Sequence, residues 1–354
     1  MGAASGQHAP AVEHSSAVEH TSSAQDGSAE VPRSPVHDRP AHAGVSRSSA
    51  EDGPAHAEIS LSSVEDILHP PGVVHPAPGA HAPGRAGRDL RAAIGVGVLL
   101  AGLVVASLFL APVAFVALAG AAVVVAVWEM GNALAAGGIR MPVVPVAVGS
   151  AAMLAAAYLR GPEPLVVAFV LTSLAAMAWR AGEGSHNLVR DACSGVFTTL
   201  YVPFLAAFAV LMVREQDGPW RVFVFVLLTV CSDVGGYAAG VLTGRHPMAP
   251  RISPKKSWEG FAGSVAACSA MGALVLPLAL DGRAWHGAVV GVAVAVTATL
   301  GDLGESMVKR DIGIKDMGSL LPGHGGIMDR LDSLLPTAPV VWALLALTVG
   351  TTPG

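Results

Sequence analysis

An all-α bundle set in a lipid bilayer, with a disordered polar arm at its N-terminus, is the fold class this sequence predicts. Three observations predict it. The 354 residues are 52% hydrophobic and only 13% charged, where soluble domains average about 25% charged, and the mean hydropathy is +0.56. The charge is also uneven. Residues 1–88 hold ten acids, five Arg and nine of the thirteen His, whereas residues 89–354 hold sixteen acids, sixteen bases and long apolar runs. Those runs, finally, recur at close to the length of about 20 residues that crosses a membrane as a helix. The chain therefore divides into an arm over 1–88 and a membrane domain over 89–354.

The arm repeats short words, VEH at 12 and 18 and PAHA at 40 and 54. It has no sustained apolar period and cannot bury a core, so disorder is expected. Ile59–Leu68 could form a helical turn or two at the membrane surface. The arm's histidines could hold a metal weakly, but a solvated low-complexity segment is the favoured reading. Its polar start has no apolar h-region, so no cleavable signal peptide is expected. The net charge of −5 belongs to the arm and says little about partners.

Nine spans are expected, at about 92–110, 112–130, 142–159, 164–180, 196–213, 221–243, 260–280, 285–303 and 336–352, with breaks at Pro112 and Gly137–Gly138. Lys and Arg in the connections orient them. With the arm inside, the inner segments carry fourteen bases and the outer segments four, Arg160, Arg214, Arg221 and Arg283. The expectation is a multi-pass protein of the cell membrane with a cytoplasmic N-terminus and an outer C-terminus. The loops 244–259 and 304–335 then share the inner face. Cys193, Cys231 and Cys268 form no metal-binding pattern and read as buried small hydrophobes.

The chemistry concentrates in those two loops. Ser306–Asp332 packs four Asp, two Lys, two Arg and one His into 27 residues, and charge at membrane depth points to function. All four Lys of the chain, against seventeen Arg, lie in the two loops: Lys255, Lys256, Lys309 and Lys315. Lysine is a compact point charge suited to phosphate. The first loop, Gly244–Gly260, has five Gly or Pro and four bases, a composition that presents N–H groups and cations to anions. A purely topogenic basic loop would look similar.

Before that loop, Asp233 sits among apolar neighbours in CSDVGGYAAG, where an acid is costly unless paired or ligated. Gly235, Gly236 and Gly240 permit close approach of either a ligand or another helix. Asp302, Glu305 and Ser306 lie at i, i+3 and i+4, so a continuing helix puts them on one face. Asp329 and Asp332 share the same spacing. Carboxylates gathered this way suit a hard divalent cation, Mg²⁺ first. Lys309, Arg310, Lys315 and Arg330 beside them suit phosphate. Acidic metal ligands with basic phosphate clamps describe phosphoryl or nucleotidyl transfer. A self-neutralising loop would explain the charge balance but not Gly323-His324-Gly325-Gly326. The role of His324, as base, phosphate donor or turn-former, stays open. Glu129, near the inner end of the second span, could pair with a loop base or simply face the interface.

SMVKRDIGIKDMGSLLPGHGGIMDRLD resembles the signature of the phosphatidate cytidylyltransferases, also called CDP-diacylglycerol synthases. Eleven positions carry the likeness: Ser306, Lys309, Arg310, Lys315, Asp316, His324, Gly325, Gly326, Asp329, Arg330 and Asp332. Upstream, ISPKKSWEG is similar to the family's SPKKTWEG, with Ser257 where Thr is usual. CSDVGGYAAG resembles its Asp-x-x-Ala-Tyr segment, with Gly236 where Ala is usual. The stretch from Gly244 to Ile252 is short for the family. The likeness covers roughly 90–354 and excludes the arm.

The resemblance implies that CTP and phosphatidic acid give CDP-diacylglycerol and pyrophosphate. The implied catalytic residues are Asp302, Ser306, Lys309, Arg310, Lys315, Asp316, His324, Asp329, Arg330 and Asp332. Asp233, Ser253, Lys255, Lys256, Ser257 and Glu259 are expected to bind substrate. Asp302, Ser306 and Asp329 are expected to hold Mg²⁺, with a second, monovalent ion left open. The partners expected are CTP, phosphatidic acid and the lipid bilayer. Nucleic acid is not expected, and a homodimer is left open. Two other classes compete. A transporter would spread acids over several spans, often in inverted repeats, which are not seen here. A CDP-alcohol phosphotransferase would carry D-x-x-D-G-x-x-A-R, which is missing.

Overall fold

The computed structural model describes residues 90–184, 186–318 and 325–350. The arm, the Ile59–Leu68 segment and His324 lie outside these residues. The described chain runs α1 Leu90–Leu110, α2 Pro112–Ala136, α3 Val143–Arg160, α4 Pro162–Gly182, α5 Leu188–Val213 and α6 Gly218–Thr243. A hairpin of β1 Pro247–Ala249 and β2 Ser253–Ser257 follows, then α7 Trp258–Leu280, α8 Ala284–Ile312, the short α9 Met328–Leu331 and α10 Leu334–Thr348.

The protein is an all-α membrane bundle. Each of the nine expected spans coincides with a helix. Among the described residues, eight are long and apolar enough to cross a membrane: α2 to α8, and α9 with α10 as one stretch. In α1 the apolar part is Leu99–Leu110.

Breaks fall where backbone chemistry requires them. Pro112 and Pro162 open α2 and α4 at their first turn, where a missing N–H costs nothing. Pro203 sits inside α5, where it removes an intrahelical hydrogen bond. The helix absorbs it as a π-turn over Leu200–Phe204.

Three helices run well past their expected bounds, α2 to Ala136, α5 from Leu188 and α8 to Ile312. α5 starts at Leu188 because Asp191 in its first turn is paired with buried Arg180 at 2.7 Å, so its charged end is neutralised. α8 continues to Ile312 through Asp302, Glu305 and Lys309 because Lys309 reaches back one turn to Glu305 at 2.6 Å. Its end is a Schellman cap. Gly313, at φ 81°, donates to Arg310 O, and Ile314 donates to Lys309 O at 2.9 Å.

Two apolar cores hold the bundle. One joins α2, α3, α5 and α9 around Val127, Met130, Met153, Val210 and Met328. The other joins α6, α7, α8 and α10 around Leu228, Cys268, Leu276, Val294 and Val341. Helices in lipid associate through close packing more than through a hydrophobic drive, and α6 and α7 show it. A Cβ at Gly235 would strike Ala267 and the Gly263 backbone. Ser264 Oγ donates across the crossing to Ser232 O at 2.7 Å, and Cys268 Sγ to Leu228 O at 3.2 Å. Of the three cysteines expected to be buried, Cys268 is; Cys193 is exposed and Cys231 only half-buried.

Candidate active site

The two charged loops meet. The basic loop folds as the β1–β2 hairpin, antiparallel, with Pro247 opposite Ser257 and Ala249 opposite Ser253. Ser257 closes it by capping α7, accepting from Gly260 N at 3.1 Å. Glu259 in the first turn of α7 holds the other strand. It accepts from Arg245 N at 3.1 Å and His246 N at 3.2 Å, and pairs with His246 Nδ1 at 2.5 Å. Across the gap, Arg310 Nε lies 3.4 Å from Ile252 O and ties the end of α8 to the hairpin.

Between hairpin, α6, α7, α8 and α9 lies a cavity of about 390 Å³. Asp233, Gly236, Tyr237 and Gly240 face it from α6, and Lys255, Lys256 and Ser257 from the hairpin. Gly260, Phe261 and Ser264 of α7, Thr299 and Asp302 of α8, and Asp329, Arg330 and Asp332 after the signature loop complete the wall. Four carboxylates and three basic side chains thus share one recess. Its size is that of a small-ligand site.

The inner wall is an ionic lattice. Lys256 is ion-paired with Asp302, and its Nζ lies 3.5 Å from Thr299 O. Lys309 Nζ bridges Glu305 Oε2 at 2.6 Å and Asp329 Oδ1 at 2.9 Å. Asp329 Oδ2 also accepts from Gly326 N at 2.9 Å and Met317 N at 3.1 Å. Asp332 Oδ1 accepts from Ser333 N at 2.6 Å. A Cβ at Gly301 would strike Asp332 O, so glycine there lets α8 and the α9–α10 junction approach closely.

Of the expected site residues, Asp233, Lys255, Lys256, Ser257, Asp302, Asp329, Arg330 and Asp332 line this cavity. Ser253, Glu259, Ser306, Lys309, Arg310, Lys315 and Asp316 do not. Glu259 and Arg310 are committed to backbone groups of the hairpin, and Lys309 sits behind Asp329. Ser306 lies one turn beyond Asp302 on α8. Lys315 and Asp316 are exposed beyond the Gly313 cap.

The cytidylyltransferase family model matches residues 91–348, the whole bundle and both loops. The chain belongs to the cytidylyltransferase family. Among its relatives, a protein of Mycobacterium leprae named phosphatidate cytidylyltransferase is 44% identical over 280 residues, 74% of this chain and 89% of that one. One of Mycobacterium bovis with the same name is 42% identical over 277 residues, 74% of this chain and 90% of its own length. A Brucella suis protein, also so named, is 34% identical over 182 residues, 50% of this chain.

For this cytidylyltransferase-family chain the residues fit a Mg²⁺ shared with substrate. Among the described residues no three acidic, His or Cys side chains form a ready cation cage. Mg²⁺, however, is usually held by one or two carboxylates together with substrate phosphates and water. Asp302, half-exposed at 40%, offers such a carboxylate to the cavity, with Asp329 and Asp332 beside it.

Glu129 carries more than sequence reasoning assigned to it. It is buried at 1% exposure, and its Oε2 accepts from Met328 N at 2.8 Å. An acid inside an apolar span was the available signal.

Proposed function

We propose that this chain transfers the CMP unit of CTP to phosphatidate, forming CDP-diacylglycerol and pyrophosphate. The observation that carries the reading is the meeting of Lys255 and Lys256 of the hairpin with Arg330 and four aspartates in one cavity of a cytidylyltransferase-family bundle. The relatives' name, phosphatidate cytidylyltransferase, supports phosphatidate as the acceptor of a cytidylyl group.

A phosphate monoester is largely ionised near neutral pH, so the attacking oxygen needs no strong base. One of its oxygens bonds to the α-phosphorus of CTP as the α–β bridging P–O bond breaks, and that electron pair leaves on pyrophosphate. Both substrates are anions, and the chain's task is to hold them together. Lys255 and Lys256 offer point charges, and Arg330 a planar fork. Asp302 and Asp329 would hold Mg²⁺, which when bound neutralises triphosphate charge and stabilises the leaving group. Asp233, on the opposite wall, would orient substrate. Lys309 would act from behind by keeping Asp329 in place.

An ion path would need acids spread along several spans, whereas Asp233, Asp302, Asp329 and Asp332 gather in one recess. The Lys and Arg bias supports a cytoplasmic face for that recess, where it would open to CTP and to the inner leaflet.

The test uses membranes from cells expressing the chain, labelled CTP, phosphatidic acid and Mg²⁺. A labelled CDP-lipid that requires all three is expected. Its absence overturns the reading.

A further inference from the structure

We infer that Glu129 is a positioning residue for the reaction, a carboxylate that reaches from α2 to hold the signature segment against the cavity. The inference rests on the reading above for its kinetic consequence, but not for its geometry.

Glu129 is separated by 199 residues from its partner Met328. Its Oε2 accepts the Met328 N–H at 2.8 Å, at the first turn of α9. The same carboxylate lies against both rims of the signature loop, since a Cβ built on Gly318 or on Gly326 would collide with it. Glycine at both positions is what lets backbone close around the acid. Burial makes the Oε2 contact strict, because a buried polar oxygen left without a donor is costly and Oε1 already has no hydrogen-bond partner among the described residues.

Three cavity-lining side chains depend on that anchor. Asp329 follows Met328 directly, and Arg330 and Asp332 lie within the next turn. Asp329 binds the same two rims from the cavity side, through Met317 N and Gly326 N. Glu129 and Asp329 therefore clasp one piece of backbone from opposite sides. Glu129 is not among the residues that line the cavity, so it would act through the position of Asp329 and Arg330.

The experiment compares full-length wild type, Glu129→Ala and Glu129→Gln in lipid nanodiscs. Glutamine keeps a carbonyl acceptor for Met328 N–H; alanine does not. Misplacement of reacting groups by about 1 Å can cost roughly 10²-fold in rate. Glu129→Ala should lose about that much kcat with far less change in the KM for CTP, and Glu129→Gln should recover most of it. Hydrogen exchange at Met328–Leu331 should quicken in Glu129→Ala and stay near wild type in Glu129→Gln.

Gly326→Ala, pressing on the same carboxylate, should lower kcat in wild type and add little in the Glu129→Ala background, the signature of coupled positions. Should Glu129→Ala fail to reach the membrane, Gly326→Ala alone and in the Glu129→Gln background decides. Wild-type kcat in Glu129→Ala, a Gln variant as poor as Ala, additive effects with Gly326→Ala, or unchanged exchange would each overturn the inference. If the wild type makes no CDP-lipid, the reaction reading falls, and the exchange measurement still decides this one.

Discussion

Lys256 and Lys309 look interchangeable as basic loop residues, yet they occupy different layers. Lys256 faces the cavity and pairs with Asp302. Lys309, half-buried, is held between Glu305 and Asp329 and cannot reach a ligand without releasing one of them. Asp302→Asn and Asp329→Asn should each lower CDP-lipid formation by roughly 10²–10³-fold, with the amount of protein in the membrane fraction unchanged. Retained turnover would remove the residue from the proposed cation site. Lys309→Met should behave differently. It leaves buried Glu305 and Asp329 without their shared cation, a loss of several kcal/mol, and should show as a lowered thermal midpoint in detergent as well as lost activity. Much at this scale was legible. Asp233, Lys255, Lys256, Asp302 and Asp329 stood out because charge in an apolar chain is conspicuous. The layering was not legible, because Lys309 and Lys256 differ only in what folds across them. Glu129 was conspicuous too, but its partner is a backbone N–H on the far side of the sequence, which no side-chain pattern encodes.

Among the elements, the long α8 and the α6–α7 crossing matter most to the site. α8 carries Asp302 on the same rigid rod that ends, after Lys309, in the Gly313 cap. A rod places carboxylates more precisely than a loop would. The expected end near residue 303 was short of this because charge reads as an exit from the membrane, whereas Glu305–Lys309 pairing lets the helix run on. At the crossing, Gly235 faces Gly263 backbone and Ala267 with no space to spare. Gly235→Leu should overpack it and cost about 1–3 kcal/mol, read as a lower thermal midpoint of the solubilised protein. A wild-type midpoint would show that α6 and α7 can separate. Helix existence was easy to read from apolar length. Which glycines serve packing was not, since the same residues could have approached a ligand.

For the whole molecule, the relation between arm and bundle is the open element of design. The matched family region begins at residue 91, and among the described residues the cavity is lined by residues beyond 231. Deleting residues 1–80 should therefore leave kcat within about twofold, measured on equal amounts of membrane-inserted protein. A large fall would give the arm a part in catalysis.

The cavity also has a size, about 390 Å³. On the proposed reaction, a nucleotide and a lipid headgroup would share that room. Two long fatty tails would then trail outside among the bilayer lipids while the phosphate is inside. The protein would then recognise its lipid from the glycerol upward and be nearly blind to tail length and saturation. Any bias in the molecular species it makes would be inherited from the composition of the surrounding membrane.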